Sequence, residues 1–135
     1  MCGRYTLTTS AERLARWFQL DDTPPPFEGY NISPTQSVPV VRIDPTTIDH
    51  KKRQMIMLHW GMIPFWAKDH TIGNRLINAR SEYVADKPSF KNAFRKRRCL
   101  VVADGFYEWQ KRGSHNQPYL VRMANQEPYA FAGLW

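Results

Sequence analysis

Cysteine is scarce in this chain. Cys2 and Cys99 are the two among 135 residues, too few for a disulfide framework, and a bridge between them is not expected in a reducing compartment. No apolar run reaches about 18 residues, so no helical membrane span is expected. The N-terminus has no basic stretch leading into an apolar one, which points to an intracellular protein. Glycine-rich phosphate loops, a nucleophile elbow and the zinc-deaminase signature are all missing. His50, His59, His70, His115 and the cysteines show no zinc-ligand spacing. No metal or cofactor is therefore expected. Acidic residues are the minority, 12 against 19 lysines and arginines, for a net charge of +7. That balance suits a polyanionic partner, although it also serves plain solubility.

What is present fits one packed globule. Hydrophobic residues make up 42% and aromatic residues 13% of the chain, and 135 residues suffice to bury about two-thirds of the unfolded surface. Residues 2–7 read as a short strand. Thr9 and Glu12 form a capping box in front of a short amphipathic helix over 10–20, with Ala11, Leu14 and Phe18 on one face. Residues 21–29, with Pro24, Pro25 and Pro26 in a row, are loop, and 30–36 is irregular. Strands follow at 37–43, where Pro39 favours an edge or a strand start, and at 54–60. Residues 60–66 form a tight aromatic turn. A helix over 88–97 opens on Pro88, residues 99–103 are a buried strand, and a turn at 113–117 joins 106–109 to a strand at 118–123. A last apolar strand spans 129–135. Several strands with a few short helices make the class α+β. The chain stops inside that last strand, so it is expected to be one portion of a larger domain.

The residues that can carry chemistry begin with Cys2. Removal of Met1 would leave a 1,2-aminothiol, with an amine of pKa about 7.7–8.0 beside a thiol of about 8.5. An aldehyde would meet the amine first as a Schiff base, and the thiol would then close a thiazolidine. Arg4, two residues on, would share a strand face with Cys2 and could hold a phosphate or favour the thiolate; it also reads as a surface arginine. Asn78 and Arg80 repeat that spacing, with Asn78 equally readable as a turn residue. Glu108, flanked by Tyr107 and Trp109, is a candidate proton donor or acceptor if desolvated, and otherwise a solvent-facing glutamate. Basic clusters at 51–53 and 95–98, with Trp60 and Trp66 as stacking candidates, suit single-stranded nucleic acid.

Six stretches taken together resemble the SRAP family, the SOS-response-associated peptidase-like proteins. They are MCGRY (1–5), YNISPTQ (30–36), WGMIPFW (60–66), NARSE (78–82), CLVVADGFYEW (99–109) and FAGLW (131–135), in family order along the chain. The resemblance implies mostly antiparallel β-sheets around a barrel-like core, with residues 1–135 forming the N-terminal portion of a single SRAP domain and the C-terminal part missing. It also implies a sensor of abasic sites in single-stranded DNA. Cys2 would form the thiazolidine crosslink that shields the lesion, with Asn78 and Glu108 as catalytic helpers and Arg4, Arg80 and Trp66 on the DNA. The expected protein is a monomer without a membrane or metal partner.

Two departures from the family pattern stand out. The family histidine lies in a His-x-Arg-Met-Pro-like segment beyond the Gly-Leu-Trp strand, and none of the four histidines here has that context. Val102 stands where many members have proline, a change expected to matter little, whereas the missing downstream segment has consequences. The expected consequences are an uncovered sheet edge and a site short of one helper. Two other readings stay open. An N-terminal-nucleophile hydrolase would use Cys2 on an amide or peptide, since class II glutamine amidotransferases also begin Met-Cys-Gly. A non-catalytic module would bind single-stranded DNA through its basic and aromatic residues alone.

Overall fold

The computed structural model describes residues 3–47 and 51–135. Their strands form two antiparallel four-stranded sheets, ordered β2-β1-β6-β7 and β4-β3-β5-β8. The first contains β1 (Tyr5–Leu7), β2 (Gly29–Ile32), β6 (Gly105–Arg112) and β7 (His115–Val121). The second contains β3 (Ser37–Ile43), β4 (Arg53–His59), β5 (Arg98–Ala103) and β8 (Tyr129–Leu134). Both sheets are open, so the expected barrel-like core takes the form of two facing sheets.

The core lies where those sheets meet. Tyr5, Leu7, Ile32, Val38, Val40, Val41, Cys99, Val102 and Ala103 are buried together, joined by Leu14 from helix α1 (Ala11–Phe18). Aromatic edges bridge the sheets: the Phe131 ring sits 6.2 Å from Tyr5 and 6.0 Å from Phe106, both near perpendicular, the geometry ring quadrupoles favour. Helix α1 buries Ala11 and Leu14, and a fully buried leucine contributes about 1.5–3 kcal/mol. Its N-cap is Ser10, whose hydroxyl accepts from the Arg13 N–H, and not Thr9 as the capping box suggested. Thr9 is engaged elsewhere, with Asp104.

Asp104 is the corner of the fold. The chain leaves one sheet at Ala103 and enters the other at Gly105, so β5 and β6 are nearly one strand bent between two layers. The corner requires glycine after the aspartate, because a Cβ on Gly105 would lie 2.7 Å from the Thr6 hydroxyl oxygen and 3.0 Å from Leu120.

Several boundaries differ from the sequence reading. Residues 29–32 form β2, paired with β1, where irregular chain was expected. β6 and β7 run longer than expected and are joined by a two-residue loop at Gly113 and Ser114, with Gly113 at φ 57°; glycine first is the type II′ preference. A 3₁₀ helix over His70–Arg75 was not anticipated, and helix α2 is shorter, Lys91–Lys96. Pro39 sits in an interior strand, but β3 pairs with β5 only through Val40 and Val41, so the proline lies clear of that ladder.

Candidate functional site

At the N-terminal end of β1, Arg4 is held between β2 and β6. Cys2 lies outside the described residues; Arg4, immediately before β1, is within them. The Arg4 carbonyl accepts from the Tyr107 N–H at 2.9 Å, which fixes it beside β6. On the other side its Nη1 donates to Asn31 Oδ1 of β2 at 3.1 Å. The register that pairs Tyr5 with Phe106, carried back two residues, sets Gly3 opposite Glu108. The segment that follows Cys2 therefore runs alongside the strand bearing Glu108.

The residue before Asn78 is linked to β1 through Trp60. The Trp60 ring lies 5.4 Å from Tyr5, and its Nε1 donates to the Ile77 carbonyl at 2.9 Å. That bond holds the residue before Asn78 to Trp60, whose ring packs on Tyr5 of β1. The turn behind it is closed by Met62 N–H donating to Leu76 O at 3.0 Å. Gly61, at φ +146°, lets the turn approach closely: a Cβ there would lie 2.6 Å from the Gly73 carbonyl oxygen. Asn78 is half-buried, and the chain around it is not a strand, so the same-face argument for Asn78 and Arg80 does not hold.

Glu108 is exposed on β6, opposite Tyr119 of β7. Tyr107 and Trp109 contact each other at 6.3 Å without enclosing it, so the exposure of Glu108 matches the solvent-facing one of its two readings. Trp66 is 47% exposed while Trp60 is partly buried against the core, which separates the two stacking candidates. Arg80 is also exposed. The basic clusters separate too. In the first, Lys52 pairs with Asp22 at 3.2 Å, and Arg53 binds Phe18 O and Gln19 Oε1. In the second, Arg95 and Lys96 stay exposed on α2.

Three contributors escaped the sequence reading. Asn31 receives Arg4, and the Tyr30 carbonyl accepts from the Tyr107 hydroxyl at 3.0 Å. The burial pattern of β2, with Tyr30 and Asn31 both exposed and Ile32 buried, shows no alternation that would have marked the strand. Asp104 is the third. Its Oδ1 accepts from Thr6 Oγ1 at 2.7 Å, and its Oδ2 accepts from the N–H and hydroxyl of both Thr8 and Thr9 at 2.6–3.1 Å. Burial pushes its carboxyl pKa up, but the bonds from Thr6, Thr8 and Thr9 outweigh that and hold it below the ordinary aspartate value. This clamp ties the far end of β1 to the start of β6. Among the described residues no group of histidine, cysteine or carboxylate side chains is arranged to hold a metal, and no helix is long and apolar enough to cross a membrane.

Two open antiparallel sheets with an N-terminal strand threaded between β2 and β6 define the class of fold, and comparison places it. The SRAP family, SOS response associated peptidase, matches residues 1–135, and the chain belongs to that family. It is 35% identical over 139 residues to the abasic site processing protein YoqW of Bacillus subtilis (strain 168), covering all of this chain and 60% of that protein. It is 32% identical to the abasic site processing protein HMCES of Gallus gallus, over 90% of this chain and 42% of that protein. A crystal structure of a Bordetella bronchiseptica protein superposes with a TM-score of 0.80 at 25% identity, over 99% of this chain and 63% of that one. The chain thus spans about three-fifths of the length of YoqW.

Proposed function

We propose that the chain is the N-terminal portion of a single SRAP domain that captures abasic sites in single-stranded DNA through Cys2. The observation that carries this reading is the anchoring of Arg4 between Asn31 and Tyr107, which lays the residues after Cys2 along the strand of Glu108. After loss of Met1, the Cys2 amine attacks the aldehyde carbon of the ring-opened sugar. Glu108 gives a proton to the departing hydroxyl, and one water leaves as the imine forms. The Cys2 thiol then adds to the imine carbon while the nitrogen takes up a proton, closing the thiazolidine. Arg4 and Arg80 hold flanking phosphates, Asn78 orients the amine and sugar, and Trp66 stacks on a base. Holding the aldehyde at the amine raises its effective concentration, an effect that can supply several kcal/mol. The protein acts as an intracellular monomer without a metal.

The names of YoqW and HMCES as abasic site processing proteins support this reading. The test is incubation with single-stranded DNA carrying one abasic site, followed by denaturing electrophoresis. An adduct that survives denaturation and vanishes in Cys2→Ala is expected. Adduct formation unchanged in Cys2→Ala contradicts the proposal, and ammonia release from glutamine without an adduct would favour the hydrolase.

A further inference from the structure

Helix α2 and the aromatic turn share a feature that the crosslinking chemistry does not use. Residues 87–98 carry six cations, Lys87, Lys91, Arg95, Lys96, Arg97 and Arg98, and no carboxylate. Arg97 is committed to structure, its Nε donating to the Trp135 carbonyl, and Lys87 lies over the Phe90 ring. Lys91 and Arg95, one turn apart, are exposed on the side of α2 away from buried Ala93, and Lys96 is exposed at its last residue. They line an open groove of about 370 Å³ with Asn92, Pro88 and Phe65.

Phe65 is 82% exposed. It is held out by a turn in which Pro64 is buried and the Ala67 N–H donates to the Pro64 carbonyl at 2.9 Å. An aromatic face in water beside three cations is the combination that binds an unpaired nucleotide, with the ring stacking on the base and the cations meeting the phosphates. The groove lies a short stretch of chain from the start of β1, because Phe65 follows Trp60 by five residues and the Trp60 ring packs against Tyr5. Five residues of chain span at most about 17 Å, a few nucleotides of strand.

We propose that the groove between Phe65 and α2 is a second DNA subsite, which seats the single strand a few nucleotides from the captured lesion. This rests on the abasic-site reading for the identity of the strand, but it requires no lesion and no Cys2. A duplex satisfies the cations and leaves Phe65 without an open base face, so the subsite prefers single strands.

The test is fluorescence anisotropy with a labelled, lesion-free oligothymidine of about 12 nucleotides, over a range of salt. Three variants are compared: Phe65→Ala, Lys91→Gln with Arg95→Gln, and Lys52→Gln as a control on the other cluster. Phe65→Ala is expected to weaken single-strand binding about tenfold and leave binding to duplex of the same sequence unchanged. The Lys91/Arg95 double variant is expected to lower the salt slope by about 1.4, at about 0.7 per lost phosphate contact, while Lys52→Gln changes neither. These side chains are exposed, so far-UV circular dichroism should match wild type. Variants that bind as wild type does, or a wild type that does not bind, overturn the subsite. Failure of the crosslinking reading is separate: wild type would bind this DNA through the groove yet form no adduct with its abasic counterpart.

Discussion

Asp104 accepts five hydrogen bonds from three threonines in the segment from β1 to α1. Replacing it with alanine would strand the buried Thr6 hydroxyl and the Thr8 and Thr9 amides, each unmet group costing about 1–3 kcal/mol. Asp104→Ala is therefore expected to lower unfolding stability by about 3–5 kcal/mol in urea titrations, a large loss for a small domain. The sign with pH follows from its depressed carboxyl pKa. A group whose folded pKa lies below its unfolded value, about 3.9, stabilises fully above that value. The contribution disappears as pH falls from about 3.9 through the folded-state value. Asp104→Asn should flatten this acid limb, which denaturation at stepped pH would show. At Cys99, burial pushes the thiol up to about 11, so alkylation of the folded chain near neutral pH should leave it unmodified. Labelling at Cys99 without unfolding would contradict the buried position. Asp104 was visible in the sequence only as a lead into β6, because its partners stand 95–98 residues away. Glu108 was named from its aromatic neighbours, but those rings contact each other and leave it exposed.

Among elements, the turn from Trp60 links the chain before Asn78 to β1. Trp60→Phe would keep a ring against Tyr5 but lose the bond to Ile77, costing about 1 kcal/mol in stability. Adduct formation should slow by more than that loss of folded protein explains, since the residue before Asn78 loses its bond to Trp60; a single-turnover time course checks this. An unchanged rate would detach Asn78 from the chemistry. The strands most legible in sequence were those with a buried face. β3 was read with its observed bounds because Val38, Val40 and Val41 are packed and β-branched. β2 was missed because it is four residues long and Gly29 and Pro34 bracket it with turn signals. The β6–β7 hairpin was cut short because beyond Tyr107 both strands are exposed, leaving no hydrophobic alternation to follow. The 3₁₀ helix, HTIGNR, carries no helical periodicity at all.

At the scale of the molecule, the open sheets leave β7 as an edge strand with Tyr119, Leu120 and Val121 each about two-fifths exposed. Such an edge templates strand pairing between chains. Leu120→Lys is expected to slow concentration-dependent aggregation in light scattering without shifting the unfolding midpoint. The antiparallel architecture was anticipated because five of the six family stretches fall at β1, β2, β5–β6, β8 and the Trp60 turn, while NARSE lies in chain that is neither helix nor strand. Nothing within the stretch 99–109 showed that the chain turns a corner at Asp104 between β5 and β6. The proposed chemistry rests on one bond set at the start of the chain, and intact-protein mass spectrometry reads it directly. Incubated with single-stranded DNA bearing one abasic site, the chain should appear at the mass of protein without Met1 plus DNA less one water. Proteolytic mapping should place the adduct on Cys2. A chain that has lost Met1 and yet remains unmodified, or an adduct mapped to a lysine, would contradict the account.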